Sequence, residues 1–122
     1  MGHPRRGEFY WVDFSPVRGS EQGGTRPAVV ISGNAANRLF DVTVASVTSK
    51  IKERQSALVV LLPKGKPLKE ESAIMPFQVL TVSNMRLDGR CIGTLTPAQT
   101  LTPAQTLDLD DKLRRVWGLR EP

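Results

Sequence analysis

The sequence predicts a mainly β domain: a small, strongly bent antiparallel barrel that carries one C-terminal helix. Three observations lead to this fold class. Six or seven short stretches are rich in β-branched and aromatic residues, glycine and proline turns separate them, and a single helical pattern comes late in the chain. A chain of 122 residues is long enough for one hydrophobic core but too short for a second domain. We therefore expect one domain over residues 1–122, with a flexible tail over residues 1–6.

The chain carries an excess of positive charge, with 17 lysines and arginines against 12 acidic residues and a formal net charge of +5. This excess predicts a polyanion or an acidic protein as partner. Cys91 is the only cysteine, so no disulfide forms within the chain, and a reducing cytoplasm suits the protein. No apolar stretch reaches membrane-spanning length and the first residues do not resemble a secretion signal. We therefore expect a cytoplasmic protein with no membrane partner.

The first strand is predicted over residues 8–14, where apolar side chains occupy both faces. Two apolar faces require the core on one side and a helix or a second subunit on the other. On this view Trp11 is a packed core residue. The second strand, residues 26–32, is a continuous apolar run that suits a central position in the sheet.

The third strand is predicted over residues 42–48, after a turn with helical character at residues 33–37. If the second and third strands pair antiparallel across this turn, Arg26 lies opposite Thr48 at one end of the sheet. A register slip of one residue would turn Thr48 to the other face.

The remaining strands are shorter and are separated by charged turns. A fourth strand is predicted over residues 57–62, and a fifth over residues 72–80. Pro76 interrupts the fifth because proline cannot donate to a ladder, so it marks a sheet edge or a bulge. Two short strands at 85–87 and 90–95 flank Asp88-Gly89, which predicts a hairpin.

A perfect tandem repeat, TLTPAQ at 94–99 and again at 100–105, provides two possible helix starts. A start at the first copy would place Pro103 inside the helix at a cost of about 3 kcal/mol. We therefore predict that Thr102 caps a helix that begins at Pro103 and ends at Gly118. Its buried stripe is predicted to comprise four residues: Leu109, Leu113, Val116 and Trp117.

The loop at residues 19–27, GSEQGGTRP, is the most informative stretch of the chain. Its glycines allow positive φ, and Pro27 holds Arg26 in an extended conformation at the start of a strand. An arginine beside unshielded backbone N–H groups is a plausible seat for a phosphate. The alternative is a glycine-rich hairpin with a solvated arginine.

Several kinds of site find no support in the sequence. A transition-metal site needs clustered ligands, and the chain offers only His3 and Cys91, far apart. Dinucleotide and Walker glycine patterns and a Gly-x-Ser-x-Gly motif are also missing. We therefore expect no cofactor. RNA cleavage without a metal remains open, because the 2′-OH of RNA attacks the adjacent phosphorus once it is oriented and the developing charge is neutralised. Arg26 suits the neutralising role, and Thr48 can hydrogen-bond a phosphate oxygen or the 2′-OH.

Two motifs, WVDFSP at 11–16 and RGSEQGGTRP at 18–27, resemble the opening of the MazF/PemK family of toxin endoribonucleases. Four later pieces fit in order: VTSK at 47–50, SAIMPFQ at 72–78, RL at 86–87 and IGTL at 92–95. The resemblance implies an SH3-like barrel, usually a homodimer, that cuts single-stranded RNA, chiefly mRNA. It implies catalytic roles for Arg26 and Thr48. It also implies an antitoxin whose acidic, disordered tail covers the substrate groove.

Five further residues are candidates for the site, each with an alternative. Glu21 is the most natural proton acceptor in the glycine loop, or a partner that holds an arginine. Ser20 shapes the loop or touches substrate. Lys50 belongs to a charged loop whose sign suits RNA, although such loops are commonly just solvated. Gln78 reads a base edge or makes an ordinary strand hydrogen bond, and Arg86 binds a phosphate or stays a surface charge.

Two other functions compete with the nuclease hypothesis. Trp117-Gly118-Leu119 resembles the C-terminal end of the CcdB toxins, which poison DNA gyrase by binding; a packed core tryptophan accounts for Trp117 better. An inactive barrel that only binds partners is the third possibility.

Overall fold

The computed structural model describes residues 3–14, 25–39, 41–50, 57–65, 68–83 and 101–119. Within these residues lie five strands and two helices: β1 (Phe9–Asp13), β2 (Thr25–Val30), α1 (Asn34–Asn37), β3 (Asp41–Thr48), β4 (Val60–Leu62), β5 (Ser72–Ser83) and α2 (Pro103–Trp117). The strands form one antiparallel sheet in the order β1-β2-β3-β5-β4. The mainly β fold class is confirmed. Both short strands predicted between residues 85 and 95 lie outside the described residues. No helix in the described part is long and apolar enough to cross a membrane.

The pairing of β2 with β3 follows the predicted register. Ala28 lies opposite Ser46, Val29 opposite Ala45, and Val30 opposite Val44. Because β2 and β3 run antiparallel, the start of β2 and the end of β3 share one end of the sheet. This register brings Arg26 and Thr48 to that end.

Pro76 lies in a bulge of β5, a strand placed between β3 and β4. Ala45 of β3 pairs with Val79, but the next residue, Ser46, pairs with Met75. The intervening segment of β5, residues 76–78, therefore has no counterpart in the ladder with β3, which spares Pro76 a ladder hydrogen bond. The bulge prediction is confirmed. Beyond the bulge β5 continues to Ser83, three residues past the predicted end.

Of three buried apolar clusters among the described residues, the two larger cover the two faces of the sheet. The first comprises Phe9, Val29, Ala45, Val47, Val60, Leu62, Leu68, Ile74 and Leu109, so it includes the helix α2. The second comprises Val12, Ala28, Val30, Val42, Val44 and Val82, with Tyr10, Phe14 and Leu80 packed against it. The predicted two apolar faces of β1 are confirmed.

Trp11 is not a core residue, and that interpretation is wrong. Its side chain is 40% exposed, whereas Phe9, two residues earlier on the same face, is fully buried. β1 lies at the edge of the sheet that the described strands form, and the core encloses only its beginning on this face. Trp11 lies further along and borders an open cleft instead.

Helix α2 begins and ends as predicted. The Thr102 hydroxyl accepts from the Gln105 N–H at 3.1 Å, and the Gln105 side chain accepts from the Thr102 N–H at 2.9 Å. This capping box satisfies two amide donors that the helix itself leaves unpaired. Gly118 ends the helix in the left-handed conformation, with φ of 66°.

The predicted buried stripe of α2 is right at its centre and wrong at its end. Leu109 is fully buried and Leu113 packs against the same cluster. Trp117, however, is 52% exposed. It is the last helical residue, one turn beyond Leu113, and it borders a second groove rather than the core.

Residues 4–6, predicted as part of a flexible tail, are tied to the sheet. The Nε of Arg6 donates to the Ile31 carbonyl at 2.9 Å, and its guanidinium lies 2.8 Å from a carboxylate oxygen of Asp110 on α2. The side-chain amide of Asn37, a fully buried residue, donates to the Pro4 carbonyl at 3.1 Å. These contacts join the N-terminal segment to α1 and α2.

Candidate functional site

A cleft of about 500 Å³ opens at the end of the sheet where β2 begins and β3 ends. Its walls come from the ends of β1, β2 and β3, the turn after β3, and the segment that leads into β5. Eleven residues line it: Trp11, Arg26, Pro27, Val47, Thr48, Ser49, Lys50, Leu68, Lys69, Glu70 and Ser72. A cleft of this size accommodates a small ligand or one segment of a larger one.

Arg26 enters the cleft from the second residue of β2. It pairs with Val12 of β1, and Pro27 follows it, so both the sheet and the proline hold its backbone extended. The residue is half-buried. A guanidinium that lines a cleft can bind an anionic ligand there through its planar donors.

Thr48 is the last residue of β3 and is 5% exposed. Its backbone pairs with Ala73 of β5, and its Oγ1 accepts a hydrogen bond from the Lys50 N–H at 3.0 Å. A hydroxyl that accepts from the backbone still has its own O–H to donate. The turn after β3 therefore holds a hydrogen-bond donor in the cleft that Arg26 also lines.

The rim of the cleft is positively charged. Lys50 and Lys69 are exposed, and with Arg26 they bring three basic side chains to the lining. Against them, the described lining carries one carboxylate, on Glu70. The Ser72 hydroxyl donates to the Glu70 carbonyl at 2.8 Å and so holds the segment that carries both Lys69 and Glu70. This charge balance favours an anionic ligand.

The structure brings together three of the predicted site residues, Arg26, Thr48 and Lys50. Gln78 lies half-buried in the bulge of β5 and does not line the cleft. The other three candidates, Ser20, Glu21 and Arg86, fall outside the described residues.

Sequence reasoning missed the rest of the lining. Trp11 could have been found from the pairing of β1 with β2. That ladder places Trp11 opposite Pro27, the residue after Arg26, so a register predicted across the glycine loop would have indicated its position. For Lys69 and Glu70 no comparable signal exists, since a turn has no periodicity from which its place against the sheet follows.

The described residues contain no group of three or more His, Cys, Asp or Glu side chains placed to hold a metal ion. The polar side chains that line the cleft are an arginine, two lysines, three hydroxyl residues and a single carboxylate, a set that suits an anion rather than a cation.

The sequence profile of a family described as "PemK-like, MazF-like toxin of type II toxin-antitoxin system" matches residues 5–116. This chain belongs to that family. Among its relatives, Endoribonuclease MazF of Staphylococcus saprophyticus is 40% identical over 85 residues, which is 68% of this chain and 71% of the relative. The predicted family is confirmed.

Solved structures of the family share the fold. An endoribonuclease from a mycobacterial species, solved in complex with its cognate antitoxin, superposes with a TM-score of 0.75 at 24% identity, covering 98% of this chain and 99% of that one. MazF from Deinococcus radiodurans superposes with a TM-score of 0.72 at 23% identity, covering 97% and 99%. At these identities the likeness shows that the toxin has the MazF fold.

Proposed function

We propose that this toxin is an endoribonuclease that cuts single-stranded RNA, chiefly mRNA, in the cleft at the end of β2 and β3. The observation that carries the proposal is the arrival of Arg26 and Thr48, distant in sequence, in one positively charged cleft. The relative from S. saprophyticus, an endoribonuclease by name, supports it. An mRNA substrate places the action of the toxin in the cytoplasm.

The proposed reaction needs no metal, because the nucleophile comes from the substrate. The 2′-oxygen bonds to the adjacent phosphorus as the bond from phosphorus to the 5′-oxygen breaks, which leaves a 2′,3′-cyclic phosphate and a 5′-OH end. Arg26 neutralises the charge that builds on the phosphoryl oxygens, and the Thr48 O–H donates to one of them or holds the 2′-OH. The proton of the 2′-OH passes to a base, for which Glu21 is the proposed acceptor, and the 5′-oxygen takes up a proton.

We further propose that a cognate antitoxin inhibits the toxin with an acidic, disordered tail laid over this cleft. The three basic side chains of the rim and the net charge of +5 favour such a tail. An antitoxin tail and RNA would then compete for the same cations.

The toxin is also proposed to be a homodimer. Trp117 and Leu119 are 52% and 58% exposed and border a second groove of about 550 Å³ together with Ile31 and Leu113. Exposed apolar side chains around one groove are typical of a surface that another protein covers. A second copy is the proposed occupant, and sedimentation of the purified protein with and without a Trp117→Lys substitution tests it.

The nuclease proposal is tested by treating a long RNA with purified protein in EDTA and mapping the 5′ ends. Arg26→Ala and Thr48→Ala should each slow cleavage by about 100-fold or more, the usual loss when a transition-state donor is removed. Thr48→Ser keeps the hydroxyl and should retain most activity. Arg38→Ala removes an exposed arginine that does not line the cleft and is the matched control.

Normal cleavage by either alanine variant would refute this site. A wild-type protein that leaves RNA intact, and acts only when gyrase and DNA are added, would instead support the gyrase-poison alternative. RNA cleavage that EDTA stops would refute the metal-independent mechanism.

A further inference from the structure

The lining of the cleft includes apolar residues beside its charged ones. They are Trp11, Pro27, Val47 and Leu68. Val47 and Leu68 also belong to the cluster under α2, so the apolar face of the sheet continues from the core into the cleft and ends at Trp11. A cleft that held only phosphate would gain nothing from a 40%-exposed indole, because apolar surface in contact with water is unfavourable until a ligand covers it.

Trp11 and Arg26 line the same cleft. Trp11 pairs with Pro27 and Arg26 pairs with Val12, so the two residues occupy successive rungs of the β1–β2 ladder and their side chains start from opposite faces of the sheet. Both reach the cleft because it lies at the end of the sheet. An exposed aromatic ring and a guanidinium that line one cleft match the two halves of one nucleotide, its base and its phosphate.

We propose that Trp11 is a base-stacking platform for the nucleotide whose phosphate contacts Arg26. This inference rests on the proposed function, since it assumes that single-stranded RNA enters the cleft. Stacking on an indole tolerates any base, because each base has a π-face. Trp11 therefore contributes affinity and positions the strand, whereas contacts elsewhere select the sequence.

The first test measures steady-state cleavage by three variants. Trp11→Leu should raise KM by about 5- to 150-fold, the equivalent of about 1–3 kcal/mol per stacked base, with kcat changed by about twofold or less. Trp11→Phe keeps a ring and should recover most of the loss. Phe77→Leu is the matched control, because Phe77 is also aromatic, is 38% exposed and does not line the cleft.

The second test identifies the base that stacks on Trp11. A single-stranded oligodeoxynucleotide of the cleaved sequence lacks the attacking 2′-OH, so it binds without being cut, and each position is made abasic in turn. One abasic position should weaken binding to the wild type and leave binding to Trp11→Leu unchanged. In a Trp117→Phe background Trp11 is the only tryptophan, and the intact oligonucleotide should quench its fluorescence while the oligonucleotide abasic at that position should not.

The outcomes separate this inference from the function on which it rests. A wild type that cuts RNA, together with a Trp11→Leu variant of unchanged KM, overturns the stacking platform and leaves the nuclease proposal standing. The stacking platform is also overturned if the loss of binding affinity caused by Trp11→Leu adds to the loss caused by an abasic site at every position of the oligonucleotide. If the wild type cuts no RNA the proposed function fails, and quenching of Trp11 fluorescence by single-stranded oligodeoxynucleotides of mixed sequence still decides whether a base stacks there. That measurement uses the native ring, so it holds even if Trp11→Leu folds poorly.

Discussion

Lys69 lies exposed at the rim of the cleft, on the segment that leads into β5, and its replacement by alanine gives the sharpest test of the proposed binding of RNA in the cleft. Each phosphate contact to a single strand releases counterions, so it steepens the plot of log affinity against log salt by about 0.7. Arg26, Lys50 and Lys69 together should therefore contribute about −2 to this slope.

Lys69→Ala should flatten the slope by about 0.7, and the size of the loss in affinity follows from it. Such a contact is worth about fivefold at 0.1 M salt, about twofold at 0.3 M and almost nothing at 1 M. The assay is fluorescence-anisotropy titration of an uncleavable oligodeoxynucleotide at several salt concentrations. Lys64→Ala is the matched control, since Lys64 is an exposed lysine that does not line the cleft. An equal change of slope in both variants, or a loss from Lys69→Ala that persists at 1 M salt, would refute a phosphate contact at Lys69.

Two further substitutions test the charge balance of the cleft and the anchoring of the N-terminal segment. Glu70→Gln should lower the KM for RNA by roughly twofold to fivefold at low salt and by little at high salt, because it removes a negative charge beside the incoming phosphates. Steady-state kinetics measures this effect, and Glu71→Gln, which alters an exposed residue outside the lining, is the control. A raised KM for Glu70→Gln would contradict the prediction. Asn37→Ala should lower the free energy of unfolding by about 2–4 kcal/mol, because the buried Asn37 amide donates to the Pro4 and Ser32 carbonyls at 3.1 and 3.0 Å and both would lose a partner. Urea denaturation measures the free energy of unfolding. Replacement of the exposed Asn34 by alanine, the control, should lower it by less than about 1 kcal/mol. Equal losses in the Asn37→Ala and Asn34→Ala variants would show that burial of Asn37 adds no stability.

Helix α2 is the part of the fold that sequence reasoning described most fully. Its capping box joins residues three apart, its proline lies at the first helical position, and its terminal glycine has the positive φ that glycine favours. Each of these features depends only on residues within about one helical turn of it. The choice between the two copies of TLTPAQ followed from the same local chemistry, since only the second keeps Pro103 out of the helix interior.

The candidate site was half predictable for a related reason. Arg26 and Thr48 come together because β2 and β3 are consecutive strands that pair antiparallel across the connection at residues 31–40. Lys69 and Glu70 reach the same cleft through the pairing of β5 with β3, in which a bulge at Pro76 shifts the register. Proline indicated that the ladder is interrupted there, but the size of the shift depends on how the two strands pack.

Trp11 and Trp117 mark the limit of what the sequence decides. By itself it determined the mainly β fold class, the ends of α2, the register of β2 against β3 and the family to which the chain belongs. The tertiary structure alone decided that both tryptophans are exposed and that one of them lines a cleft. The physical reason is that strand and helix patterns depend on neighbours along the chain, whereas the exposure of a side chain depends on which distant segments pack over it.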